Sequence, residues 1–272
     1  MKKGQFLDKF LLSGKVAMVT GGSRGIGRSI ALGLAEAGAD IVLASRKLPE
    51  LEATAQEISQ MGRKALPVVA NVRHLPEINS LVKKAADEFG HIDILVNNAG
   101  TNPSFSSMFD IEEKTWDITL GLNLSGCFFL SQAVGIMMRD KGGGGSIINI
   151  SSEYGIKPRP GLGVYAISKA AIIMLTQVLA EEWGQYNIRV NAIAPGLVKT
   201  RFSEALWDNP FIRDKTEDNT ALGRIAEPEE IVGAALYLAS EASSYMTGQT
   251  IVLDGGHFAS VRTLLSTITL KQ

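Results

Sequence analysis

The stretch Lys15–Ile30, KVAMVTGGSRGIGRSI, runs from a short apolar segment through a cluster of glycines into residues with helical spacing. KVAMVT (Lys15 to Thr20) has the length and apolar content of a buried strand, and Ile26 and Ile30 then fall one helical turn apart. Glycines between a strand and a helix let the chain reverse tightly. They also leave backbone N–H groups at the helix start facing outward, where a pyrophosphate can sit. The spacing is G-x-x-x-G-x-G (Gly21, Gly25, Gly27) rather than the commoner G-x-G-x-x-G, so its position after the first strand is what gives it weight.

The same alternation recurs beyond this turn. Strands are expected at DIVLAS (Asp40 to Ser45), KALPVVA (Lys64 to Ala70), DILVN (Asp93 to Asn97), SIINI (Ser146 to Ile150), IRVNAI (Ile188 to Ile193) and TIVLD (Thr250 to Asp254). Helices are expected at about 26–38, 48–61, 75–89, 111–139, 162–184 and 228–240, several of them stopped by a glycine such as Gly38, Gly62 or Gly90. Strands separated by helices make βαβ units. The expectation is a three-layer, Rossmann-like α/β fold with a seven-stranded parallel sheet and helices on both faces. It forms a single domain over 1–272, with a core of about 13–256, a loop of about 197–224 outside the alternation and a tail at 257–272. Inserted after a strand end, that loop reads as a lid or binding segment. GGGG (Gly142 to Gly145) reads as a flexible exposed turn.

Composition removes several functions. Lys plus Arg (27) nearly balance Asp plus Glu (28), and no basic run is present, which argues against nucleic acid. A single cysteine, Cys127, excludes an intramolecular disulfide and reads as a small core residue, and His74, His91 and His257 have no metal-ligand spacing. No metal is expected. The N-terminus lacks the pattern of a signal peptide, and the longest apolar run, Leu122 to Met138, is broken by Asn123, Ser125, Ser131 and Gln132. A soluble, cytoplasmic protein with no membrane partner is the expectation.

A dinucleotide site of this kind commonly ends its second strand in an acid that holds the adenosine ribose hydroxyls. Here the sequence is Ser45-Arg46-Lys47. An acid would repel a 2′-phosphate, whereas Arg46, with Arg24 in the turn and the Ser45 hydroxyl, offers it donors. Charge-assisted bonds of about 1.5 to 3 kcal/mol each lead to NADP(H) as the preferred cofactor, with NAD(H) second.

YAISK (Tyr165 to Lys169) places a phenol and an ammonium about one turn apart on a helix, so both leave the same face. Ser151 and Ser152 extend past the end of the fifth strand, where ligands of an open parallel sheet collect. Ser152 can reach the same cleft as Tyr165. Asn123 lies among leucines inside a long helix, where a buried amide needs a partner.

Taken in order, TGGSRGIG, NNAG (Asn97 to Gly100), Asn123, Ser152 thirteen residues before Tyr165, YAISK and APGLVKT (Ala194 to Thr200) resemble the short-chain dehydrogenase/reductase family in its single-domain branch. SMFDIEEKTWD, FSEALW and LGRIAEPEEI are similar to NADPH-dependent carbonyl reductases that also act as retinol dehydrogenases. The resemblance implies a catalytic set of Asn123, Ser152, Tyr165 and Lys169. Tyr165 would exchange the proton with a carbonyl oxygen, its pKa lowered by the Lys169 ammonium and the nicotinamide charge by about 1 to 3 units. Ser152 would hydrogen-bond the substrate oxygen, and Asn123 would hold a water on the proton path. The cofactor would lie against Gly21, Ser23, Arg24, Gly25, Ile26 and Gly27, then Ser45, Arg46, Asn71 and Val72, then Asn98, Ala99 and Gly100. Beyond these it would meet Tyr165 and Lys169, then Pro195, Gly196, Val198 and Thr200. Asn71 stands where the family has aspartate toward the adenine amine.

The implied reaction is interconversion of a secondary alcohol with a ketone, or reduction of an aldehyde, by hydride transfer. Candidates to face the substrate are Asn102, Phe105, Glu153, Tyr154, Leu162, Phe202, Leu206 and Trp207, a mostly apolar set with Glu153 and Arg159 as charges at the mouth. Two alternatives stand beside this reading. One is a 3-oxoacyl thioester reductase docking a carrier protein through Arg139, Lys141, Lys157 and Arg159; the other is a catalytically silent cofactor-binding protein. The family's usual assembly is a homotetramer paired through the two long helices.

Overall fold

The computed structural model describes residues 6–257, so the expectation for the tail beyond His257 lies outside the described residues. Parallel strands β1 (Val16–Thr20), β2 (Asp40–Ser45), β3 (Ala65–Val69), β4 (Ile94–Asn97), β5 (Gly145–Ile150), β6 (Ile188–Pro195) and β7 (Thr250–Leu253) form one seven-stranded sheet. Its order is β3-β2-β1-β4-β5-β6-β7. The order reverses between β1 and β4, where Met18 has Val42 on one side and Leu95 on the other. That is where a crevice opens at the carboxyl ends.

Strand periodicity explains the layers. In β1, Ala17 and Val19 join a core with helices α1 (Gly25–Glu36), α2 (Leu48–Gln60) and α9 (Val232–Ala239), while Val16 and Met18 face the opposite core. That second core is filled from α3 (Leu75–Phe89), α5 (Cys127–Lys141) and α6 (Gly163–Trp183). Both faces of each central strand are therefore apolar, as a parallel sheet requires.

The helix expected at 111–139 is interrupted. It begins as α4 (Glu113–Leu120), passes through a π-helical segment, Gly121–Gly126, and continues as α5. Glycine is required at Gly126, where a Cβ would collide with the Val72 carbonyl. The π segment carries Asn123. By length and mean hydropathy, 1.4 and 1.6, Glu113–Lys141 and Gly163–Tyr186 both suffice to cross a membrane, because scattered polar residues break an apolar run without lowering its mean. Here both bury residues such as Val134, Met138 and Leu179 against the sheet.

The stretch read as a loop at 197–224 holds α7 (Glu204–Trp207) and α8 (Pro210–Asn219), the latter capped by Asn209, whose side chain accepts from the N–H groups of Phe211 and Ile212. The GGGG reading is also corrected: Gly144 is buried against Asn187 and Gly145 starts β5, leaving Gly142 and Gly143 as the exposed pair.

Candidate active site

The glycine turn is locked from below by polar groups. Thr20 Oγ1 accepts the N–H groups of Asn98 and Ala99, each at 3.0 Å, and Asn98 Nδ2 donates to the Thr20 carbonyl at 2.8 Å. The end of β4 is thereby tied to the end of β1, and Gly21 and Gly25 take φ of +65° and +52°. At Gly27 a Cβ would collide with the Gly21 carbonyl and the Asn98 amide, so the N-terminus of α1 approaches as closely as backbone allows. Arg24 is exposed in front of it. Across the crevice the loop after β6 closes in: a Cβ on Gly25 would sit 3.1 Å from Thr200 Cγ2. Thr200 is held by Ser203, whose Oγ lies 3.0 Å from its hydroxyl, and Trp207 Nε1 donates to its carbonyl at 2.9 Å.

The other wall is built on β5 and α6. Ser151 Oγ donates to the Lys169 carbonyl at 2.8 Å, and Lys169 Nζ reaches back to the Ile150 carbonyl at 2.7 Å, which pins α6 to the strand end. Lys169 is buried, with Nζ 5.6 Å from the Tyr165 ring centroid. Ser152 is buried and caps the following turn by accepting the Tyr154 N–H at 3.2 Å. The Phe202 ring stands 6.1 Å from that of Tyr165, tilted by 40°. Above them Phe105 packs on Gly161 and Met108 on Gly163, so an apolar rim covers the start of α6.

Burial dominates the electrostatics. Desolvation pushes the Tyr165 phenol up to about 12; contact with the Ser152 hydroxyl draws it down, and Tyr154 and Glu153 add to the rise. Lys169 goes the other way, to about 8, because its ammonium has left water. This differs from the sequence expectation, in which Lys169 lowers the phenol. The ammonium is directed at the Ile150 carbonyl, and the chain by itself keeps Tyr165 in its proton-bearing form.

Several other residues sit differently from their expected roles. The Asn123 amide holds no spare N–H: Nδ2 donates to the Thr101 carbonyl at 3.0 Å and to Ser168 Oγ at 2.9 Å, while Oδ1 accepts the Thr101 N–H at 2.8 Å. It clamps the segment after Gly100 to α6. Asn71 Oδ1 accepts the Arg73 N–H at 3.2 Å, and Val72 is buried beside it. Glu153 is not at a mouth but 1% exposed, with Oε2 2.7 Å from His257 Nδ1. Trp207, a candidate to face the substrate, has its indole N–H tied to the Thr200 carbonyl, and Leu162 is buried. Arg159 is engaged with the Tyr154 hydroxyl. Arg139 and Lys141 pair with Asp140 and Asp93 at the amino end of β5, away from the crevice, so the basic patch does not form. Thr20, Thr101, Ser168, Ser203 and His257 carry the site's scaffolding without any sequence signal beyond adjacency to a motif. Asn97 supports the sheet, donating to Ser131 Oγ and to Asn149 Oδ1, and Cys127 is a buried core thiol raised to about 12 by desolvation.

A glycine turn at the strand-order reversal, facing a serine, a tyrosine and a lysine, defines the site of a nicotinamide-dependent oxidoreductase. Residues 21–257 match the family model described as Enoyl-(Acyl carrier protein) reductase. The chain is 40% identical over 253 residues to 2-dehydro-3-deoxy-D-gluconate 5-dehydrogenase of Escherichia coli (strain K12), covering 93% of this chain and 99% of that one. It is 39% identical over 245 residues to dehydrogenase/reductase SDR family member 4 of Homo sapiens, covering 90% and 88%. Among solved structures, a gluconate 5-dehydrogenase from Burkholderia cenocepacia J2315 in complex with NADP and tartrate matches with a TM-score of 0.90 at 37% identity, over 94% of this chain and 99% of that one. The chain belongs to the short-chain dehydrogenase/reductase family. It is an NAD(P)-dependent oxidoreductase acting on CH–OH groups.

Proposed function

We propose that the protein is an NADP(H)-dependent carbonyl reductase and alcohol dehydrogenase for a largely apolar small molecule, with Tyr165 as the proton donor and acceptor. The observation that carries this reading is the convergence of half-buried Tyr165 with buried Ser152 and Lys169 at the carboxyl end of β5, beside an apolar rim. A neutral phenol donates to a carbonyl oxygen as hydride arrives, and Ser152 steadies the developing charge. The nicotinamide supplies the hydride when bound. Lys169 and Thr200 would hold it, with Gly21 to Gly27 at the pyrophosphate, Asn98 to Gly100 at the ribose, and Pro195, Gly196 and Val198 shaping the near wall.

NADP(H) preference is supported by Arg24 and Arg46. Both are exposed beside the turn, and neither has an acidic partner among the described residues, while nearby Arg28 is tied to Glu57 at 2.6 Å. Structures similar to this chain were solved with NADP. Exposed Phe105, Met108, Phe109, Ile156 and Phe202 favour the apolar substrate. A hydroxy-acid substrate is the second reading, favoured by the likeness to gluconate dehydrogenases. We further propose a cytoplasmic homotetramer: exposed Ile167, Met174 and Val178 on α6, with Phe129 and Ile136 on α5, form apolar stripes that a second copy would cover.

The test is a panel of acetophenone, cyclohexanone, benzaldehyde, gluconate and acetoacetyl thioester with their reduced or oxidised partners, each assayed with NADP(H) and NAD(H). Tyr165→Phe is expected to bind cofactor and lose about 10²-fold or more in turnover. Retention of wild-type rates in that variant dismisses the acid, and equal efficiency with NAD(H) dismisses the cofactor preference.

A further inference from the structure

Next to Ser152 lies an ionisable pair that the reaction above does not use. Glu153 follows Ser152 in the chain and begins the turn Glu153–Gly155, which presses on α6 so closely that a Cβ on Gly155 would come within 2.7 Å of the Lys169 carbonyl carbon. Its carboxylate is buried, and His257 Nδ1 lies 2.7 Å from Oε2. The His257 side chain is 23% exposed and, with Glu153, lines a cavity of about 170 Å³. A buried carboxyl group beside a partly exposed imidazole makes a pair that solvent reaches only from the imidazole side.

The surrounding charges come from several segments. Tyr154 and Arg159 bond to each other, Lys157 donates its backbone N–H to the Glu153 carbonyl, and Asp254 faces His257. Arg224 and Glu230, across the cavity, close on one another through two bonds of 2.6 Å. The turn that carries Glu153 packs on α6, the helix that bears Tyr165 and Lys169, and Ser152, the residue before Glu153, is in contact with the Tyr165 hydroxyl.

We propose that Glu153, with His257 as its counter-ion, is a positioning residue that sets the proton affinity of the Tyr165 phenol. This rests on Tyr165 being the acid and base of the reaction. The sign follows from charge alone. A carboxylate close to the phenol holds the phenolic proton on, and an imidazolium beside the carboxylate cancels that effect. The directions agree: burial is the main cause of the rise at Tyr165, and Glu153 adds to it, as it also raises His257. The protonation state of a partly exposed histidine thereby reaches a tyrosine with which it shares no hydrogen bond among those described.

The experiment is the pH profile of kcat for cyclohexanol, or whichever panel alcohol turns over fastest, with saturating oxidised cofactor and the intact protein. Oxidation needs the ionised phenol, so the rising limb reports its pKa. Glu153→Gln is expected to move that midpoint to lower pH by about one unit, and His257→Gln to move it to higher pH by a similar amount. Glu153→Met, which replaces the carboxylate with a side chain of similar volume that needs no partner, must reproduce the acid shift, and this also covers the case in which the Gln variant fails to fold. The double variant should follow Glu153→Gln. Any other pattern overturns the proposal, including lowered rates with unmoved midpoints, which mark a merely structural pair. Tyr165→Phe is measured first, because wild-type turnover there overturns the underlying reading and not the pair.

Discussion

Replacing Asn123 by alanine separates two roles that sequence alone would merge. The amide makes three hydrogen bonds, at 2.8 and 3.0 Å to the Thr101 backbone and 2.9 Å to Ser168 Oγ, and the residue is 2% exposed. Each neutral bond contributes about 1 kcal/mol net, and a partner left dry costs about 1 to 3. Ser168 keeps its bond to the Tyr165 carbonyl at 2.7 Å, and Thr101 is only half-buried, so water can replace part of the loss. The expected destabilisation is about 2 to 3 kcal/mol, which for a domain of this size lowers Tm by about 5 to 10 °C. Thermal unfolding of the cofactor-free protein, followed by circular dichroism, measures it. A Tm within about 1 °C of wild type, with kcat lost, would refute the clamp and return the amide to a role on the proton path.

Arg46→Ala should raise KM for NADP(H) about tenfold or more and leave NAD(H) unaffected, since a charge-assisted bond contributes about 1.5 kcal/mol or more; equal effects on both cofactors would contradict the assignment. Gly27→Ala should abolish cofactor binding, measured by fluorescence titration of NADPH, because its Cβ meets the Gly21 carbonyl; near-normal affinity would show that the turn can relax. Asp93 accepts from the Val16 N–H at 2.9 Å and pairs with Lys141 at 3.0 Å and His91 at 3.2 Å. Asp93→Ala should therefore cost about 3 kcal/mol in urea unfolding, and a loss under about 0.5 would discount the cluster. Burial holds Lys169 at about 8, below the 10.5 of a free lysine, so between those values the unfolded chain binds more protons and stability rises with pH. Across that window the wild type should gain about 3 kcal/mol relative to Lys169→Met, and a constant difference would argue against the depressed pKa.

The strands were readable because a parallel sheet buries both faces, which leaves near-continuous apolar runs such as VAMVT and IVLA bounded by glycine or charge. The glycine turn, Ser152, Tyr165 and Lys169 were readable because each sits at a strand end or one turn into a helix, where chain order fixes position. What escaped depends on contacts far apart in sequence. His257 meets Glu153 only because β7 pairs with β6, one strand away from β5, and nothing in SSEYG announces a partner a hundred residues away. The direction of the Tyr165 shift escaped for a related reason: charge can be counted in a sequence, but desolvation depends on what covers the group. The π segment was invisible because GLNLSG has ordinary helical composition, and only the close approach of Gly126 to Val72 shows why the winding must change there.

A regular helix has a single phase along its length, whereas the run from Glu113 to Lys141 has two, divided at Asn123. One residue corresponds to about 100° of rotation, so excising any residue between Gly121 and Gly126 would turn everything after it by about that angle. Phe129 and Ile136 would swing off the outer surface and Val134 out of the core. The extra residue thus acts as a fixed gear between α4 and α5, and length changes in this helix should be tolerated only at its ends.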